Sequence, residues 1–332
     1  GISSPSLMPF SESVDAPARR LNLTTNLSLA AIFALMVITF SALTPFFITT
    51  ENIVNIASTI AIVGIAAISE TMVLIAGGVD ISVGAVAALT GVITSVLLLQ
   101  GGISSIWVCA LIGLAGGVLI GATNGFLVTR LKISPLIATL GTFSIARGLA
   151  FVFSGGQTNL LNDPGFQFIG RGSLAGIPFS LILMLALYAV FFVVLHHTSF
   201  GRNLYAIGGS RDAARLSGIR VNRNLMIVYV LCGLLAALAG IINVSQIGSS
   251  APRSAVGLEF TVIAAVVLGG TSLSGGKGTL VGTLIGVLIL RTLDNGLVLL
   301  KVSSFYQDVA RGLVLLFAVS FDQLRQRFSQ RD

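Results

Sequence analysis

The chain has 332 residues, of which 55% are apolar and only 9% charged, with a mean hydropathy of +0.98. A soluble domain carries about a quarter charged residues, so this balance excludes a water-soluble enzyme and defines an integral membrane protein. The formal charge of +7 is scattered through short loops rather than clustered with aromatics, which excludes a nucleic-acid partner, and Cys109 and Cys232 lie inside apolar runs as packing residues, with no disulfide framework and no zinc site.

A helix needs about 20 residues to cross about 30 Å of hydrocarbon. Residues 1–24 are polar and hold Pro5, Pro9 and Pro17; they read as a disordered cytoplasmic tail without a cleavable signal. Ten apolar spans follow: Leu27 to Phe47, Ile53 to Ala76, Ile81 to Leu99, Ile103 to Val128, Pro135 to Phe153, Phe179 to Leu195, Leu225 to Gln246, Leu258 to Gly270, Leu280 to Leu300 and Ser304 to Phe321. The fold class is therefore an all-α polytopic membrane protein, with one transmembrane domain over 25–322 and a cytoplasmic C-terminal tail over 323–332. The eighth span covers only about 19 Å. It is expected to be broken or tilted and continued by the glycine-rich stretch behind it, or to be buried by its neighbours.

Basic residues in short loops set the orientation. With a cytoplasmic N-terminus, Arg19, Arg20, Arg130, Lys132, Arg202, Arg211, Arg215, Arg220, Arg223, Lys277, Arg325, Arg327 and Arg331 lie inside, against Arg171, Arg253 and Lys301 outside. Both termini are then expected in the cytoplasm, with the longest outer loop running from Ser154 to Pro178.

Two glycine-broken stretches interrupt this apolar pattern, Gly77-Gly78-Val79-Asp80-Ile81-Ser82-Val83-Gly84 and Gly269-Gly270-Thr271-Ser272-Leu273-Ser274-Gly275-Gly276-Lys277-Gly278. Backbone freed from the helix ladder at membrane depth is tolerated only where protein or a water-filled cavity satisfies it, and paired breaks of this kind point to a transporter's solute site. Asp80 has two readings: a cap on the helix that begins at Ile81 or Ser82, or a contact to solute. Gly113, Gly117, Gly121 and Gly125 on the fourth span, and Gly278, Gly282 and Gly286 entering the ninth, repeat every four residues and read as seams for close helix packing.

Ionisable residues inside the spans need partners. Arg291 with Asp294 and Asp308 with Arg311 are spaced to neutralise one another on a single helix face. Glu70, Asp80 and Arg147 have no partner nearby in sequence, and Glu259 is placed near the outer surface, in reach of water. Catalytic chemistry is absent: His196 and His197 point about 100° apart on a helix, and Gly275-Gly276-Lys277-Gly278-Thr279 fails as a nucleotide loop because Thr271 and Gly278 stand where a glycine and a Ser or Thr are needed. No cofactor, catalytic residue or metal ligand is expected.

The inner loop over 197–224 holds a short amphipathic helical pattern between glycines, and Asp212-Ala213-Ala214 followed three residues later by Gly218 is similar to the coupling motif of ATP-binding-cassette (ABC) importer permeases, without its Ile-x-Leu-Pro ending. The alternative is a solvated loop helix.

From about Phe47 to Phe321 the resemblance widens. The first glycine break, Asn124-Gly125, Ile137-Ala138-Thr139-Leu140-Gly141-Thr142, Arg147-Gly148, Ser199-Phe200-Gly201, Tyr205-Ala206-Ile207-Gly208-Gly209, Gly218-Ile219 and Ala264 to Leu273 with Gly275-Gly276 together resemble the permease family of ribose, xylose, arabinose and galactoside ABC importers. One departure is Glu70, where such permeases usually carry a small residue. The resemblance implies a type II-like importer permease in the bacterial inner membrane that works as a homodimer. Its partners would be a cytoplasmic ABC ATPase, often a fused tandem, and a periplasmic sugar-binding protein. Its substrate would be a pentose, hexose or related polyol. Gly208, Gly209, Asp212, Ala213, Ala214, Arg215 and Gly218 would then couple to the ATPase, and Arg171 and Arg253 would dock the binding protein. A modestly polar pathway would use Asp80, Ser82, Asn124, Thr139, Thr142, Thr271, Ser272, Ser274 and Asn295, each of which the bundle could equally satisfy internally. The competing class is an ion-coupled secondary transporter of a small polar solute, for which Glu70, Asp80 and Asp308 would carry the ion.

Overall fold

A computed structural model describes the backbone of residues 16–329 and the side chains of 27–320 and 323; residues 1–15 and 330–332, with those parts of the two expected tails, lie outside the described residues. The elements in chain order are α1 (Ala16–Leu43), α2 (Thr50–Ile75), α3 (Val83–Leu99), α4 (Ile106–Thr129), α5 (Pro135–Ser154), β1 (Asn159–Leu160), α6 (Pro164–Arg171), β2 (Ser173–Leu174), β3 (Ile177–Pro178), α7 (Phe179–His197), α8 (Ser199–Gly209), α9 (Arg211–Leu216), α10 (Val221–Ile247), β4 (Ser249–Ser250), α11 (Leu258–Leu268), α12 (Leu280–Leu299) and α13 (Ser304–Ser329). Each of the ten expected spans corresponds to a helix. The three further helices, α6, α8 and α9, are short ones in the two long connections. Both end helices run past the apolar spans: α1 begins at Ala16 and α13 ends at Ser329, inside the segments read as tails. No glycine or internal proline interrupts either extension, and Pro17 sits in the first turn of α1, where proline is tolerated.

Local signals set the boundaries. Thr49, Asp163, Thr198, Ser210 and Thr279 each accept a backbone N–H as the cap of the following helix. Pro135 opens α5, and left-handed Gly155 (φ +58°) and Gly248 (φ +75°) close α5 and α10. β1 pairs antiparallel with β4, Asn159 facing Ser250, and β2 with β3 form a tight hairpin. The β1–β4 pair pins the 154–178 connection to the end of α10, and the hairpin folds it locally.

α2 and α10 form the middle of the bundle. α10 packs on α2, α3 and α4, with α5 against α3 and α4; α12 packs on α2 and α11, with α13 against α11, α1 against α12 and α7 against α2. The expected glycine seams are contact faces. A Cβ at Gly121 would overlap the Tyr229 carbonyl and one at Gly233 the Gly117 carbonyl, so α4 and α10 touch backbone to backbone. Gly282 and Gly286 bring α12 equally close to Gly269 and to Ala265 of α11. The length problem of the eighth span is resolved by burial: α11 has 11 residues, is enclosed by α2, α12 and α13, and stops at Gly269, where the chain turns rather than continuing as helix.

Candidate functional site

Five of the residues nominated for the pathway meet at the first glycine break. Asp80 Oδ1 accepts from the Ser82 backbone N–H (2.8 Å) and from its hydroxyl, Asn124 Nδ2 donates to Ser82 Oγ (3.0 Å) and Asp80 Oδ2 (3.3 Å), and Thr142 Oγ1 donates to Asn124 Oδ1 (2.6 Å). Thr139 Oγ1 donates to Pro135 O (2.9 Å) and reaches Val79 O at 3.5 Å. All five side chains are buried. The network ties the break to α4 and α5, and Asp80 accepts from three donors. Of the two readings of Asp80, the cap placed it at a helix that begins at Ile81 or Ser82; α3 begins instead at Val83, the residue before it is Ser82, and the Asp80 bond to the Ser82 N–H belongs to the turn that leads into the helix.

The other side of the break is acidic. Glu70 is buried in α2, accepts the Asp80 N–H at Oε1 (3.2 Å) and has the Cys232 thiol 4.0 Å from Oε2. Tyr229 Oη lies against Gly78 and has no partner among the described residues. Cys232, which reads as a packing residue, and Tyr229, which the sequence did not single out, thus complete the surroundings of Asp80 from α10. Their signal in the sequence was only polar atoms within an apolar run.

The second break forms a separate group. Thr271 is buried with an unpartnered Oγ1 directed at Gly278, Ser272 is buried, and Ser274 is exposed with its N–H on Ser272 Oγ (3.2 Å). Asn295 joins neither break: it exchanges amide hydrogen bonds with Asn52 at the start of α2 (2.9 and 2.7 Å), and Asn52 also donates to Phe47 O (2.8 Å). The two breaks do meet through their backbones. Gly276 N donates to Ile75 O, the last-turn carbonyl of α2 (2.8 Å), and Gly275 (φ +86°) packs against Gly77 (φ +73°) and Gly208.

In the 197–224 loop, Ala214 is buried against the bundle, whereas Asp212, Ala213, Arg215, Ser217 and Gly218 are exposed and Leu216 is 91% exposed. Asp212 and Arg215 pair with each other at 3.3 Å. Beside this face lies an open groove of about 430 Å³ lined by Phe200, Asn203, Ile219, Arg223 and Asn224.

Among the charged positions, Glu259 departs from the sequence expectation. Glu259 is buried rather than solvated, because α11 is enclosed, and Arg147 reaches across to donate to Pro252 O and Ser254 O (2.8 Å each). Arg171 is exposed yet engaged, donating from Nη2 to Ile247 O (2.8 Å) and from Nε to Gln246 O at the end of α10. Arg253 is exposed on the turn that Arg147 holds. The paired charges form one chain: Asp294 bonds Arg291 (3.2 Å) and, across helices, Arg311 (2.9 Å), which also holds Asp308 (2.8 Å).

A polytopic bundle with two glycine breaks meeting at one point, a buried polar network and a projecting loop helix is the build of a membrane transport permease. Residues 52–319 match the family described as branched-chain amino acid transport system / permease component, and the chain belongs to that family. It is 46% identical over 291 residues to the ribose import permease protein RbsC of Bacillus subtilis, spanning 87% of this chain and 90% of that protein. It is 43% identical over 307 residues to RbsC of Escherichia coli, spanning 90% and 94%. To the L-arabinose transport system permease protein AraH of Escherichia coli it is 40% identical over 296 residues, spanning 89% and 90%.

Proposed function

We propose that this chain is the membrane-spanning subunit of an ABC importer that carries a monosaccharide of the ribose or arabinose kind from periplasm to cytoplasm. The observation that carries this reading is likeness along nearly the whole length to permeases named for ribose and arabinose import. ATP is hydrolysed by a partner ATPase, single or fused in tandem, and a periplasmic sugar-binding protein delivers the substrate. The protein resides in the inner membrane with both termini in the cytoplasm, and two copies enclose the pathway. The exposed face of α9 supports the ATPase contact: a short helix presenting Leu216 next to the Asp212–Arg215 pair suits insertion into a groove on another subunit.

The closed state of the Asp80 network supports a division of labour. Asp80, Ser82, Asn124 and Thr142 are spent on one another and Thr139 on backbone carbonyls, so together they hold α3, α4 and α5, and a sugar meets them only when that network opens. Free energy enters through contacts that differ between states, so the α9 surface must touch the ATPase differently with and without bound nucleotide.

Purification of the tagged chain from its native membrane in mild detergent, with mass identification of partners, tests the assembly. Two copies of this chain with an ABC ATPase are expected. Recovery of the chain alone in several detergents would contradict the reading and favour an ion-coupled carrier.

A further inference from the structure

The glycine breaks free carbonyls that no helix ladder satisfies, and two side chains of the 197–224 loop bond to them. Arg211, the first residue of α9, donates from Nη2 to Gly77 O (3.2 Å), in the first break. Tyr205, on α8, donates from Oη to Gly278 O (2.8 Å), in the second. Burial pushes the Tyr205 phenol up to about 12, so it remains a donor throughout the working pH range. Between these two bonds Gly208 seats α8 directly on the breaks: a Cβ there would overlap both Ile75 O and Gly276 N.

We propose that Arg211 and Tyr205 are positioning residues that deliver the movement of the α8 and α9 pair to both broken segments at once, Arg211 to the break after α2 and Tyr205 to the break before α12. This rests on the reading that α9 docks on the ATPase. The geometry makes the pair a divided lever. α9 is capped by Ser210 directly behind α8, and Gly208 and Gly209 abut Gly275 and Gly276, so the two short helices cannot shift without pulling on Gly77 O and Gly278 O or losing those bonds. The Asp80 network begins three residues after Gly77, and Thr271 lies directly beside Gly278. Each bond therefore ends next to one group of polar side chains, and a single displacement of the loop reaches both.

The test uses the complete complex, with ATPase and binding protein, in proteoliposomes, and reads sugar moved per ATP hydrolysed together with stimulation of hydrolysis by the loaded binding protein. Tyr205→Phe removes one hydroxyl without changing shape, Arg211→Gln removes the charged guanidinium and shortens the side chain, and Arg211→Lys restores a long cationic donor. The double variant Tyr205→Phe with Arg211→Gln is expected to assemble with the ATPase at wild-type stoichiometry while sugar per ATP falls at least about fivefold. Arg211→Lys is expected to recover part of the loss. Unchanged sugar per ATP in the assembled double variant would overturn the proposal alone. Loss of uptake in strict proportion to loss of assembly would overturn it too, since that is a folding role. A wild-type complex that moves no sugar on ATP would overturn the transport reading and this proposal with it.

Discussion

At the scale of single residues, Asn124 joins three groups: its amide serves Asp80 and Ser82 as donor and Thr142 as acceptor in a buried site. Asn124→Ala leaves a carboxylate oxygen and a hydroxyl without those partners and is expected to cost about 1 to 3 kcal/mol, read as a lower unfolding temperature of the purified protein; unchanged stability would show that the network is dispensable. The two arginines nominated for docking, Arg171 and Arg253, separate in the same way. Arg171→Ala removes the donor to the last carbonyls of α10 and should cost about 1 kcal/mol, whereas Arg253→Ala, at an exposed turn, should leave stability within about 0.5 kcal/mol and weaken binding-protein docking, measurable as affinity for the complex. Equal stability effects in the two variants would contradict this division. The sequence showed that Asp80 and Ser82 sit at a break, because glycine and hydroxyls interrupting an apolar run are a local signal. It could not show that Asn124 and Thr142 answer them, or that Asn295 answers Asn52, because those partners stand 42, 18 and 243 residues apart.

Whole elements carry the next distinctions. Ala213 and Ala214 are neighbours in α9, yet Ala213 faces outward and Ala214 is 3% exposed in the core. Ala213→Asp is expected to leave the folded chain intact and abolish ATP-driven uptake, while Ala214→Asp buries a charge at a cost of several kcal/mol and lowers the yield of folded protein. Normal uptake by the Ala213 variant would remove α9 from the ATPase contact. The seam between α4 and α10 gives a second test. Gly121→Val forces a branched side chain onto the Tyr229 carbonyl and should separate the helices, read as loss of monodisperse protein in detergent; a well-folded variant would mean the helices tolerate separation. The seams were legible because a four-residue glycine period is local and marks one face. The depth of α11 was not, since a span from Leu258 to Gly270 fits either a broken or tilted helix continued by the glycine-rich stretch or a rod buried by its neighbours, and only packing by α2, α12 and α13 decides. Burial of Glu259 follows from the same packing.

For the molecule as a whole, the apolar content and the ten spans were readable from composition and span length, and the bundle contains a helix for each. What the sequence could not place was the meeting of its two glycine breaks, which lie 192 residues apart (269 minus 77) and touch through Gly77, Gly208 and Gly275. That junction gives the chain one centre at which a loop helix outside the bundle can act on both halves. It also sets the account apart from an ion-coupled carrier, in which the acidic pair Glu70 and Asp80 would move the solute and the 197–224 loop would have no task. Uptake of labelled ribose and arabinose by cells carrying the chain with its ATPase and binding protein tests the central claim most directly. It is read once with the ATPase inactivated by mutation and once with a protonophore while ATP is held constant. Uptake that stops with the ATPase mutation and persists with the protonophore is the expected result; uptake that survives the mutation and collapses with the protonophore would contradict it.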